Sequence, residues 1–174
     1  MLQQILYITQ VRGTPASGKT TLANLLQHYI AIQEPDSLVA IVPAWMNQDQ
    51  LDQEGGWRKW LADGWNAEPG SVLIVDEAQT SFRDIWFWTH IKGINPNCRH
   101  RIITFSSYGN TETENSVPFP YSPYLNQVVG LHKTDHGDGV GVGLLLTEAE
   151  FFDFVEKRFN GHCFDKQFLL GIYD

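Results

Sequence analysis

Apolar and polar positions along this chain switch between a period of two and a helical period. From Ile5 to Val11 the residues are mostly β-branched or aromatic and lead into a glycine turn, which predicts a strand ending at the Arg12-Gly13 step. From Lys19 to Ile32, Leu22, Leu25, Leu26, Tyr29 and Ile30 recur at helical spacing with no Gly or Pro between them, so an amphipathic helix is predicted. Leu38 to Val42 is a short apolar run closed by Pro43, a second strand. Strand, helix and strand make a βαβ unit, whose crossover is expected to be right-handed.

The segment from Asn47 to Leu61 has helical tendency broken at Gly55-Gly56, and Trp57 and Trp60 sit three apart, where one turn can pack both indoles into a core or a lid. Val72 to Val75 follows Pro69-Gly70 as an unbroken apolar run, the pattern of a strand covered on both faces in a parallel sheet. A helix is predicted from about Phe82 to Ile91, with Trp86-Phe87-Trp88 as core. Arg101 to Ser106 reads as the fourth strand, Tyr108 to Tyr124 as a Pro-rich loop, and Gln127 to His132 as a fifth strand. The Gly-rich turn Asp135 to Gly139 and a sixth apolar run, Val140 to Leu146, come next. Thr147-Glu148-Ala149-Glu150 has the form of a capping box, opening a helix with Phe151, Phe152, Val155 and Phe159 on one side and its end at Asn160-Gly161. This alternation predicts an α/β domain on a mostly parallel sheet. The chain stops at Asp174, directly after Gly171-Ile172-Tyr173, so residues 1–174 are expected to be the N-terminal module of a longer protein.

Composition narrows the class without changing it. The 174 residues are 43% hydrophobic and 18% charged, as expected of one globular domain. The apolar runs fall far short of the ~18 residues that a membrane span needs, and Met1 to Thr9 lacks the basic region of a signal peptide. Two cysteines, Cys98 and Cys163, are too few for a disulfide scaffold. An intracellular protein, cytoplasmic or nuclear, with no membrane contact is therefore expected. Lys and Arg number 12 against 20 Asp and Glu, a net charge of −8, and residues 45–90 carry eight acids against three bases. Without a basic patch, nucleic-acid binding through this domain is not expected.

Gly13-Thr14-Pro15-Ala16-Ser17-Gly18-Lys19-Thr20 matches the P-loop pattern G-x-x-x-x-G-K-[ST], set between a predicted strand and a predicted helix. Such a loop turns successive amides toward phosphate oxygens. Lys19 would reach the β- and γ-phosphates, Thr20 would offer a hydroxyl to Mg²⁺, and the helix beginning at Lys19 and including Thr21 would aim its positive end at the same anion. Val72-Leu73-Ile74-Val75-Asp76-Glu77 then delivers two carboxylates at the end of a strand, where open α/β sheets bind ligands. Asp76 would hold Mg²⁺ through water and Glu77 would act as general base toward the attacking water, the competing role for both being to cap the next helix. Gln79 is a candidate sensor of the γ-phosphate.

The loop and the Asp76-Glu77 pair resemble those of P-loop ATPases of the additional-strand, catalytic-glutamate class. The resemblance implies a three-layer sandwich with strand order 5-1-4-3-2, the Arg101 to Ser106 strand inserted between the other two, and a polar γ-phosphate sensor, Ser106 or Ser107, at its end. A narrower resemblance rests on Arg12-Gly13-Thr14-Pro15, Asp76-Glu77-Ala78-Gln79, Phe105-Ser106-Ser107-Tyr108-Gly109 and Gly143 through Phe151. These segments are similar to the NTPase module of Crinkler-type proteins, related to retrotransposon hot spot proteins, in which further domains follow the module.

Cys98 with His100, His132 with His136, and His162 with Cys163 lack the spacing of a structural zinc site. Lys133, Asp135 and His136 sit in a glycine-rich turn that could serve as a lid or partner contact. Of Arg12, Arg58, Arg83, Arg99 and Arg101, none is placed by sequence as a catalytic cation. Arg99 precedes the fourth strand and Arg101 opens it, so both are expected at the edge opposite the nucleotide and would act only in another subunit. Together these residues predict a Mg²⁺-dependent ATPase module coupled to an appended domain or to self-association. Two alternatives are a P-loop kinase acting on a small molecule and a nucleotide-bound regulatory scaffold without turnover.

Overall fold

Val72–Val75 is buried along its whole length and forms an interior strand of a parallel sheet. The computed structural model describes residues 7–95, 98–107 and 128–130, with Ala149 and Asp153. In chain order the elements are β1 (Ile8–Gly13), α1 (Lys19–Gln33), β2 (Val39–Val42), α2 (Gln48–Glu54), α3 (Trp57–Leu61), β3 (Val72–Val75), a 3₁₀ turn (Ala78–Ser81), α4 (Ile85–Gly93), β4 (Arg101–Ser107) and β5 (Val128–Val129). β4 pairs in parallel with β3 on one side and with β1 on the other, and β2 pairs in parallel with β3. The two residues of β5 pair in parallel with Gln10 and Val11 on the far side of β1, giving the sheet order β2-β3-β4-β1-β5. The fold is α/β, and the fourth strand lies between β1 and β3, the position that the resemblance stated above implies.

Alternation along β3 divides the core. Val72 and Ile74 pack with Val11, Ala23, Ile30 and Phe105 beneath α1, whereas Leu73 and Val75 join Trp45, Leu51, Trp57, Trp65, Phe87, Trp88 and Ile91 on the other face. Each fully buried aliphatic side chain contributes roughly 1.5–3 kcal/mol of transfer free energy, so both faces hold the sheet. Trp57 is buried and Trp60 packs against the same cluster, so the core reading of both indoles holds.

Three expectations change. Leu22, Leu25 and Tyr29 are exposed; the face of α1 that meets the sheet is Lys19, Ala23 and Ile30, with Leu26 packed beside them. The helix predicted from Phe82 begins at Ile85, because the Asp84 carboxylate accepts from Phe87 N at 2.9 Å and caps it there, while residues 78–81 close into the 3₁₀ turn. Trp86 points outward, 75% exposed, while Phe87 and Trp88 are buried.

The chain divides into two compact units, Met1–Leu144 and Leu145–Asp174. In the second, Ala149 and Asp153 are described; both are helical and exposed. The expectations for residues 108–127 and 131–148, and for the rest of 150–174, lie outside the described residues, as does Arg158. Among the described residues no helix is long and apolar enough to cross a membrane.

Candidate functional site

The loop between β1 and α1 is shaped by two residues with left-handed backbone. Ala16 has φ 63° and Gly18 φ 79°, and the residues between and before them do not share that sign. Such alternation turns successive amides into one concavity, the geometry of an anion nest. Gly18 is needed for its backbone, since a Cβ there would meet nothing within 4 Å. At Ala16 the same conformation costs on the order of 1 kcal/mol. Ser17 N donates to Thr14 O at 3.3 Å, closing the turn. The Ser17 hydroxyl is buried there without a hydrogen-bond partner among the described residues.

Lys19 opens α1 and is 5% exposed. Its Nζ donates back into the loop, to Thr14 O at 2.7 Å and Gly13 O at 3.5 Å. Among the described residues the hydrogen bonds of this buried ammonium go to neutral carbonyls, which supply no countercharge, and an anion seated in the loop would supply one.

Asp76 directly follows β3; it is 2% exposed and accepts from Glu77 N at 3.0 Å through Oδ1. Glu77 adopts a left-handed backbone, φ 47° and ψ 43°, uncommon for a residue with a Cβ. Its carbonyl accepts from Thr80 N at 2.9 Å and from Thr80 Oγ1 at 2.8 Å, and Thr80 Oγ1 accepts from Trp45 N at 2.9 Å. The turn is thus tied to the segment after β2. The Glu77 side chain makes no capping bond to the 3₁₀ turn; its Oε2 accepts instead from Gln79 Nε2. Neither the Thr80 bridge nor the Gln79 bond was legible in the sequence, although the two-residue offset of Gln79 from Glu77 on a tight turn is the signal that could have shown it.

β4 completes the site. Its register sets Ser106 opposite Arg12 and Ser107 opposite Gly13. Phe105 packs under α1, and side chains two apart on a strand share a face, so Ser107 lies on the α1 side and Ser106 on the other. A cavity of about 510 Å³ is lined by Pro15, Ala16, Gly18, Lys19, Thr20, Thr21, Glu77 and Ser107. It collects most of the sequence candidates, with Ser107 rather than Ser106. Gly13, Thr14 and Ser17 belong to the same loop segment but are not among its described lining residues, and neither is Asp76, buried immediately before Glu77. A larger cavity of about 620 Å³ lies between α2, α3 and α4, lined by Leu51, Trp57, Arg58 and Trp86 among others; it holds none of these candidates.

The cations are accounted for differently from one another. Arg101 forms a two-pronged ion pair with Glu34 at the far end of α1, and its guanidinium holds the Glu34 carboxyl below the usual range. Arg12 donates to the buried Gln10 at 2.8 Å, and Arg58 lies over the Trp57 ring, 5.0 Å from its centroid. Among the described residues, no three His, Cys, Asp or Glu side chains are grouped to hold a metal on their own. Mg²⁺ does not require such a group, because it is bound through one or two protein oxygens with water and substrate phosphates. The oxygen donors of Asp76 and Thr20 suit that hard cation.

No protein-family model matches the chain, and no curated protein matches it.

Proposed function

We propose that this domain binds and hydrolyses a Mg²⁺-bound nucleoside triphosphate, with ATP the first candidate, as a P-loop NTPase of the additional-strand, catalytic-glutamate class. The observation that carries the reading is the single cavity in which Lys19, Thr20, Glu77 and Ser107 meet, although they come from three segments of the chain. The strand order, with β4 between β1 and β3 and β5 beyond β1, fits the 5-1-4-3-2 arrangement of that class. Likeness to the NTPase module of Crinkler-type proteins, and coupling to an appended domain, belong to the same proposal.

Each residue has a role that its chemistry allows. The nest at residues 15–18 receives the phosphates, and Lys19 exchanges its loop carbonyls for their oxygens. Asp76 and Thr20 would hold Mg²⁺, which when bound neutralises charge developing on the phosphate oxygens. Glu77 accepts a proton from the attacking water, and Gln79 fixes the direction of its carboxylate. Ser107 donates its hydroxyl toward the γ-phosphate from the strand beside the loop. A kinase fits less well, because Glu77 lines the cavity rather than capping the following turn. Product analysis separates the readings: free phosphate supports hydrolysis, a phosphorylated acceptor the kinase, and bound unreacted triphosphate the scaffold.

A further inference from the structure

α1 turns an uncharged apolar stripe outward. Leu22 is 38% exposed, Leu25 61%, Tyr29 61% and Ile32 60%. At 3.6 residues per turn these four fall within about 80° of one another. They lie on the side away from Gln27, whose amide reaches Val39 O of β2 at 3.5 Å. Between Lys19 and Glu34 the helix carries no Asp, Glu, Lys or Arg.

Three properties of the stripe point to what covers it. The first is charge: at a net charge of −8 two copies repel one another on average, whereas this stripe carries no acid to add to that repulsion. The second is symmetry. The spacing from Leu22 to Leu25 to Tyr29 to Ile32 is three, four, three, which reads the same in both directions. An antiparallel pair of α1 helices therefore sets Leu22 against Ile32 and Leu25 against Tyr29, twice over, as an isologous contact requires. The third is area. Four such side chains present on the order of 400 Å² on each copy, about half of what a standard interface buries per partner, so association should be weak and concentration-dependent.

We propose that α1 is a self-association surface, on which a second copy of this chain docks its own α1 antiparallel along Leu22, Leu25, Tyr29 and Ile32. The same pairing sets Thr20 of one copy opposite Glu34 of the other, and Glu34 holds Arg101. A guanidinium of the second copy is thereby brought toward the start of α1, where, among the described residues, no arginine of the same copy lines the cavity. The pairing does not depend on the nucleotide reading; an effect of Arg101 on hydrolysis does.

Sedimentation velocity of the whole chain, from a few to a few hundred micromolar, tests the pairing. The wild type should pass from monomer to dimer, Leu25→Glu and Tyr29→Glu should each stay monomeric, and Trp86→Glu, a control at an exposed aromatic on α4, should dimerise like wild type. A wild type that stays monomeric throughout, or a Leu25→Glu variant that still dimerises, overturns the proposal. So does a monomeric wild type that Leu25→Glu destabilises, because the chain's own residues then cover the stripe. For orientation, in a Cys98→Ser, Cys163→Ser background, a mixture of Leu25→Cys and Tyr29→Cys chains should form the mixed disulfide faster than either forms its own. The reverse order of rates overturns the antiparallel arrangement. Phosphate release per chain that rises with dimerisation and is lost in Arg101→Ala supports the contribution in trans; a rate unaffected by dimerisation removes that contribution and leaves the pairing to the sedimentation result.

Discussion

Ser107 stands in register with Gly13, so the last residue of β4 meets the first glycine of the β1–α1 loop across the sheet. This fixes which of two adjacent serines faces the cavity. Ser107→Ala should lower the rate of phosphate release about tenfold or more while leaving ATP affinity within a few-fold, as expected for a donor used mainly in the transition state. Ser106→Ala, on the opposite face of β4, should change neither. Steady-state kinetics on both variants checks the pair, and equal effects would contradict the register argument.

Lys19→Ala should weaken Mg²⁺-ATP binding by one to two orders of magnitude, corresponding to about 1.4–2.8 kcal/mol. The fold should survive, since the change removes a buried ammonium whose bonds go to loop carbonyls. Calorimetry with a circular-dichroism control measures both, and unchanged affinity would remove Lys19 from the phosphate site.

Gln79→Leu should reduce kcat several-fold with little change in ATP affinity. The Glu77 backbone is held by Thr80, but its carboxylate takes its direction from the Gln79 amide. Misplacing a base by a fraction of an ångström affects the proton transfer more than it affects binding. A change in affinity with constant kcat would instead place Gln79 on the nucleotide.

Much of this arrangement was legible from local pattern. β3 coincides with the apolar run Val72–Val75, because a strand covered on both faces needs no alternation to announce it. The β1–α1 loop was legible because its glycine, lysine and threonine spacing reflects a backbone requirement. The buried face of α1 was not, since Leu22, Leu25 and Tyr29 compete with Ala23, Leu26 and Ile30 for the apolar side, and the sheet takes the side with the small Ala23. The choice between Ser106 and Ser107 depends on the β1–β4 register, and the Arg101–Glu34 pair joins residues 67 apart. Neither has a local signal. The start of α4 was misread because Asp84 both caps that helix and accepts from the distant Trp45 indole at 3.2 Å.

His90 gives a stability prediction independent of nucleotide. Arg58 Nη2 lies 3.2 Å from its Nδ1, and a guanidinium only donates, so Nδ1 accepts and the ring proton sits on Nε2. Burial, then the charges of Arg58 and His100, bring its pKa down to about 4 from 6.5. The folded state therefore resists protonating a ring that the unfolded chain protonates below pH 6.5. The stability from His90 is complete above pH 6.5 and is lost as pH falls from there toward 4. For this partly buried ring, solvent screening limits the effect to about 1 kcal/mol. Urea denaturation at pH 7.5 and pH 5 should show a smaller loss for His90→Gln than for wild type. Equal losses would mean that the ring is not held neutral. His100, lowered mainly by burial, leaves a residual slope of the same sign.

The central claim is that Glu77 is the base at a triphosphate site, and its most direct test is single-turnover phosphate release from bound Mg²⁺-ATP by Glu77→Gln beside wild type. The amide keeps the shape of the side chain and hydrogen-bonds water, but it cannot take the proton, so only the transition state loses stabilisation. Affinity within about threefold of wild type with phosphate release reduced by a factor of 100 or more is the predicted result. Release at the wild-type rate would contradict it.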